Sequence, residues 1–162
     1  FTYSPAMDIQ VSSNFERYLY YKLGEDTTKV GSFMKSFLAT GEERVHYNTT
    51  RFDETFCADS ASNDETLATI RELYESEGYL ADPHTAVGIA VGKRFRRDDV
   101  PLLCLATAHP AKFDQAIGEA VPGLAVHHPL LDALEGMPTR KSVLDADIET
   151  VKRFIESRGM PG

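Results

Sequence analysis

The residues best suited to chemistry crowd into one decapeptide, Cys104 to Phe113, CLATAHPAKF. An apolar run delivers the hydroxyl of Thr107, then the imidazole of His109 and the ammonium of Lys112. In open α/β sheets, ligands gather where a strand hands over to a helix. The N-terminus of the following helix adds a field that favours anions. Thr107 falls at that handover. Two readings stand: its hydroxyl meets a ligand, or Thr107 or His109 simply caps the helix that follows.

Other constellations carry less. Asp82, His84, His109, His127, His128 and Cys104 are metal-ligating types, but their spacing fits no compact motif such as His-Glu-x-x-His, and no metal is expected. Gly88-Ile89-Ala90-Val91-Gly92-Lys93 has one residue too few between its glycines for a phosphate loop. Arg94 also stands where that loop needs Ser or Thr. No Gly-x-Ser-x-Gly elbow supports a serine nucleophile. Lys93-Arg94-Phe95-Arg96-Arg97 reads as a solvated helix end whose charges suit the C-terminal dipole.

The elements that must position these side chains are mostly helical. Ser12 or Ser13 starts a helix through Tyr21, with Phe15, Tyr18 and Leu19 on one face. Thr27 or Thr28 opens a second, carrying Val30, Phe33, Met34, Phe37 and Leu38, and Gly41 stops it. Ser62 and Glu65 form a capping box before Leu67, Ile70 and Tyr74, and Gly78 ends that helix. A fourth helix runs from His84 to about Phe95, its Gly88 and Gly92 open to close approach of another backbone. Leu102–Ala106 is the clearest strand, apolar throughout and therefore expected to be buried on both faces. Pro110 suits the first turn of a helix with Phe113, Ile117 and Val121. Asp145 is expected to cap a last helix carrying Ile148, Val151 and Ile155. Glu42 to Ala61 is polar and poorly periodic, a loop with room for one short strand. The class is α/β with more helix than strand.

The composition sets outer bounds. A length of 162 residues suits about one domain. A net charge of −8 argues against a general nucleic-acid surface. The longest apolar runs, Ala86–Val91 and Leu102–Ala106, are too short to span a membrane. Two cysteines, Cys57 and Cys104, make no disulfide framework, so a reducing, cytoplasmic setting is the simpler reading. Asn48-Thr49-Thr50 matches a glycosylation sequon by its letters only. The chain opens Phe-Thr-Tyr-Ser-Pro and reads as cut from a longer polypeptide, so a site found in it is expected to be part of a site.

Three blocks carry a family resemblance. The first is Ser4-Pro5-Ala6-Met7-Asp8-Ile9-Gln10-Val11-Ser12-Ser13-Asn14-Phe15-Glu16-Arg17. The second runs from Asp64-Glu65-Thr66 to Gly78-Tyr79 and on through Asp82-Pro83-His84-Thr85-Ala86-Val87-Gly88. The third is Ala106-Thr107-Ala108-His109-Pro110-Ala111-Lys112-Phe113. In this order, over nearly the whole chain, they resemble threonine synthases. The resemblance implies a pyridoxal-phosphate (PLP) enzyme of the tryptophan-synthase-β-like fold, fold type II. Its reaction turns O-phospho-L-homoserine and water into L-threonine and phosphate, with the cofactor as electron sink. It also implies that Thr107 meets the pyridine nitrogen of the cofactor, that His109 and Lys112 shape or line the site, and that Pro110 holds the turn. Asn14, Arg17 and His84 are read as structural: a helix start, a partly buried ion pair and a helix cap.

The departures qualify this. The family's Schiff-base lysine and its Gly/Asn-rich phosphate loop lie upstream of Ser4-Pro5, and Lys112 is not expected to replace that lysine. Residues 1–162 are therefore read as the carboxyl-terminal part of the PLP-binding large domain, with the amino-terminal catalytic half absent. Alone they are expected to bind the cofactor poorly, to turn nothing over and to expose apolar surface made for the other half. A phospholyase on the same scaffold and a non-enzymatic interaction module are the rivals.

Overall fold

The structure is a computed structural model that describes residues 1–9, 11–45 and 55–159. The sequon at Asn48 and the middle of the polar 42–61 stretch lie outside the described residues. The helices are α1 (Ser13–Lys22), α2 (Thr27–Thr40), α3 (Asn63–Glu77), α4 (Pro83–Phe95), α5 (Asp114–Ala120), α6 (Pro129–Asp132) and α7 (Ile148–Arg158). Two compact units separate in the chain, Phe1–His128 and the stretch from Pro129 onward.

Local chemistry explains most helix ends. In α3 the Ser62 hydroxyl accepts from the Glu65 amide while the Glu65 carboxylate accepts from the Ser62 amide. Gly78 closes the helix in the left-handed region at φ 64°. Such a cap is worth about 1 kcal/mol. Asp26 caps α2 through the amides of Thr28 and Lys29, and Gly41 ends it at φ 80°. Asp82, not His84, caps α4, with Pro83 in the first turn where its missing N–H costs nothing. Ser12 precedes α1 in extended conformation, its side chain making no cap bond.

The core is small and lies where α3 meets α4 and α5. Ile70, Ala81, Ala86, Ile117 and Ala120 are buried there, flanked by Leu67, Leu73, Leu80, Val121, Leu124 and Val126. Burying Ile70 and Ile117 contributes about 1.5–3 kcal/mol each. Alanines at three of the five central positions leave room for close packing, and α4 and α5 both pack on α3. The α1–α2 pair packs separately around Leu19, with Val30, Phe33, Met34 and Phe37 half-buried and Leu38 exposed. Across the second unit, α7 shows its apolar stripe, Ile148, Val151 and Ile155, to solvent.

Five further expectations are corrected. Leu102–Ala106 forms no strand among the described residues, and Leu103 and Leu105 are 87% and 80% exposed, with Cys104 exposed between them. A strand needs a neighbour to complete its ladder, and no described backbone pairs with this segment. The helix at Pro110 is a single 3-10 turn, Pro110–Lys112. Phe113 then leaves the helical region at φ −135°, its ring packed 5.0 Å from that of His84, before α5 begins. Asp147, not Asp145, caps α7, because only Asp147 lies three residues before Thr150 and accepts from its amide and hydroxyl. Arg17 is exposed and donates to Asn14 Oδ1 at 3.3 Å instead of forming a buried ion pair. Finally, Gly92 faces side chains, not backbone: a methyl there would meet Leu102 Cδ2 at 3.4 Å and Cys104 Sγ at 3.6 Å, while Gly88 faces open space.

Candidate functional site

The blocks singled out in the sequence converge on one buried carboxylate. Asp82 is 1% exposed and sits at the first turn of α4. Its Oδ1 accepts from the His84 amide at 3.0 Å and lies 3.1 Å from His84 Nδ1, and its Oδ2 accepts from the Thr85 hydroxyl. His84 and Thr85 are themselves buried. From this cluster, two hydrogen bonds reach distant chain. The Ala6 amide donates to His84 Nε2 at 3.4 Å, across 78 residues. The Thr107 amide donates to Thr85 Oγ1 at 3.2 Å, across 22 residues.

The pattern assigns protons. With Nε2 of His84 accepting from the Ala6 amide, the ring's proton sits on Nδ1, aimed at Asp82. A carboxylate only accepts, so the Thr85 proton points at Asp82 and an oxygen lone pair faces the Thr107 amide. Asp82 thereby orients both neighbours. A buried carboxylate with these donors is satisfied, whereas removing one donor leaves a costly orphan.

An outer frame holds the amino-terminal arm against this cluster. Tyr3 N donates to Asn63 Oδ1 at 3.1 Å, and the Tyr3 hydroxyl donates to the Glu119 carboxylate. That bond raises the Tyr3 pKa and lowers that of Glu119. Asp8 is held below the usual carboxylate range by the Thr2 amide. Arg71 closes the end of α5 by donating from Nε to the Ala120 carbonyl at 2.7 Å.

The residues expected to carry chemistry fall out unevenly. Thr107 is exposed, and its hydroxyl has no hydrogen-bond partner among the described residues. His109 is exposed and accepts from the Ala111 amide at 3.2 Å through Nδ1, so it is the cap of this turn. Its ring stands edge-on to that of His128, centroids 4.7 Å apart. Lys112 is exposed on the 3-10 turn. Among the described residues, His, Cys and acidic side chains gather into no metal-holding cluster. No described helix is long and apolar enough to cross a membrane. Sequence reasoning left Thr85 without a role. Its signal was local: Asp-Pro-x-Thr places a capping residue and a hydroxyl three apart, able to reach back across the first turn.

A family model described as "Threonine synthase, C-terminal" matches residues 85–155, which include Thr85 and the whole Thr107 turn. The threonine synthase of Schizosaccharomyces pombe is 42% identical over 137 residues, covering 74% of this chain and 26% of that protein. That of Pseudomonas aeruginosa is 38% identical over 165 residues, 98% of this chain and 34% of that protein. The crystal structure of PLP-bound threonine synthase from Brucella melitensis superimposes with a TM-score of 0.75 at 34% identity, covering 97% of this chain and 34% of that one. The chain belongs to the threonine synthase family. It corresponds to the family's carboxyl-terminal part and spans about a third or less of the length of the curated relatives it matches. The helix-rich fold is that of the carboxyl-terminal portion of a fold type II enzyme, as in the B. melitensis threonine synthase.

Proposed function

We propose that these residues form the carboxyl-terminal part of a PLP-dependent threonine synthase converting O-phospho-L-homoserine and water into L-threonine and phosphate. The observation that carries this reading is the Thr107 hydroxyl: exposed, unpartnered among the described residues, and set on a backbone fixed from the buried Asp82 cluster. A group so placed fits a ligand atom that the chain itself does not supply. When bound, PLP supplies the electron sink for the β,γ-elimination and replacement.

The chain's own residues then have separable parts. Thr107 offers a neutral hydroxyl to the cofactor's ring nitrogen, which, unlike a carboxylate, does not compel that nitrogen to hold a proton. His109 caps the turn that follows, and Pro110 fixes its entry. Lys112 lines the approach as an exposed cation. The family's Schiff-base lysine and phosphate loop lie outside these residues, so the 162-residue chain alone releases neither product. A cytoplasmic setting fits the two free cysteines.

The test uses the full-length gene product with PLP and O-phospho-L-homoserine, following threonine and phosphate together. Equal release is expected, and Thr107→Val should lower kcat about tenfold, the loss of one hydrogen bond of about 1.4 kcal/mol. Phosphate with a keto acid but no threonine would replace this reading by a phospholyase. Release of neither product would refute it.

A further inference from the structure

We propose that Thr85, oriented by Asp82, is a positioning residue for Thr107 and so tunes how the cofactor is held. The inference rests on the reading of Thr107 as the cofactor's partner. Residues 101–108 have no helix or strand to hold them. Among the described residues, the Thr107 amide bonded to Thr85 Oγ1 is the one hydrogen bond tying that segment down. Whatever fixes this amide fixes the peptide plane that carries the Cα of Thr107, and so narrows where its Cα–Cβ bond can place the hydroxyl.

The polarity of the relay makes it one-directional. Asp82 can only accept, so the Thr85 proton is committed to it and the Thr85 oxygen is left to receive the Thr107 amide. Donating to a carboxylate also makes that oxygen a stronger acceptor, since successive hydrogen bonds polarise one another. Asp82 is locked in turn by His84, whose ring is wedged against Phe113 just beyond the turn. The Thr107 segment is therefore gripped from both ends by neighbours on one helical turn of α4. Serine at position 85 keeps the relay. Valine, of nearly the same shape, deletes it.

The experiment compares Thr85→Val, Thr85→Ser, Thr107→Val and the Thr85→Val/Thr107→Val pair in the full-length gene product loaded with PLP. It reads the cofactor's absorption band and its dissociation constant. Thr85→Val should shift the band and weaken PLP binding about tenfold, the size that outer-shell partners have at metal sites. Thr85→Ser should restore both, and adding Thr85→Val to Thr107→Val should change the band no further. An unchanged band in Thr85→Val beside a shifted band in Thr107→Val would overturn the relay while leaving the Thr107 contact standing. An unchanged band in Thr107→Val would remove the contact and the relay with it. Should Thr85→Val fail to fold, amide exchange at Thr107 in the unmodified protein decides: slow exchange is expected, and the rate of an open amide overturns the relay.

Discussion

Asp82 combines a cap and a buried ligand set in one side chain. Replacing it with asparagine keeps a capping oxygen for the His84 amide and imidazole, but puts an amide NH2 where Thr85 donates. The hydroxyl then loses its acceptor, and its proton is stranded in a buried site. Asp82→Asn should lower stability by about 1–3 kcal/mol in urea unfolding, although asparagine is a good helix cap. A loss under a few tenths would mean the site is wetter than it looks. At this scale the sequence was half legible. Thr107 stood out because its hydroxyl ends an apolar run in a block shared with a known family. Thr85 did not, because a threonine in the first turn of a helix looks the same whether it closes a cap or relays to a backbone 22 residues away.

The start of α3 and the end of α4 are joined by Arg94, which donates to the Asp59 and Glu65 carboxylates and to the Ser60 carbonyl at 2.8 Å. The Ser60 amide first, then Arg94, holds Asp59 below its ordinary pKa. The Ser62 amide first, and Arg94 among lesser causes, does the same for Glu65. Carboxyl groups that ionise more easily folded than unfolded stabilise the fold when ionised. Their contribution is full above the ordinary carboxylate value of about 4 and fades as pH falls through it toward the lower folded values. Thermal unfolding should therefore be flat between about pH 8 and 5 and weaken below about 4. Arg94→Gln should make that acid loss shallower, and so should high salt, because these pairs are exposed. A loss equally steep in the variant would put the acid sensitivity elsewhere. Helix ends such as Ser62 and Gly78 were readable from sequence because caps are decided within a few residues. The break at Phe113 was not, since it depends on the ring of His84, which sequence spacing does not reveal.

Over the whole molecule, the first unit leaves an apolar face uncovered. Leu102, Leu103, Cys104 and Leu105 line an open groove with Met7, Val87, Val91 and Phe95.

 Its own volume is about 510 Å³, against about 660 Å³ for the cleft along α7 in the second unit. Bare leucines of this kind favour association. Replacing Leu103 and Leu105 with threonine should leave the unfolding midpoint of the 162-residue chain within about 0.5 kcal/mol, as surface changes do, while lowering its binding of a hydrophobic dye and its sedimentation-detected association. A large stability loss would mean that these leucines are packed in solution. The apolar run was plain in the sequence, and its burial was inferred from composition. Burial belongs to the neighbours of a segment, not to its letters, and within this chain no described strand lies beside Leu102–Ala106.

Gly88 carries a consequence of its own. It sits inside α4 on the wall of that groove, and a methyl group there would meet nothing within 4 Å. Glycine in a helix interior costs about 0.5–1 kcal/mol relative to alanine, so Gly88→Ala should stabilise the 162-residue chain by that amount. The same substitution then becomes a ruler. If the gain persists in the full-length gene product, the groove stays open there. If it reverses into a loss, a second surface rests within a methyl's width of the helix, and the glycine is kept as clearance for it.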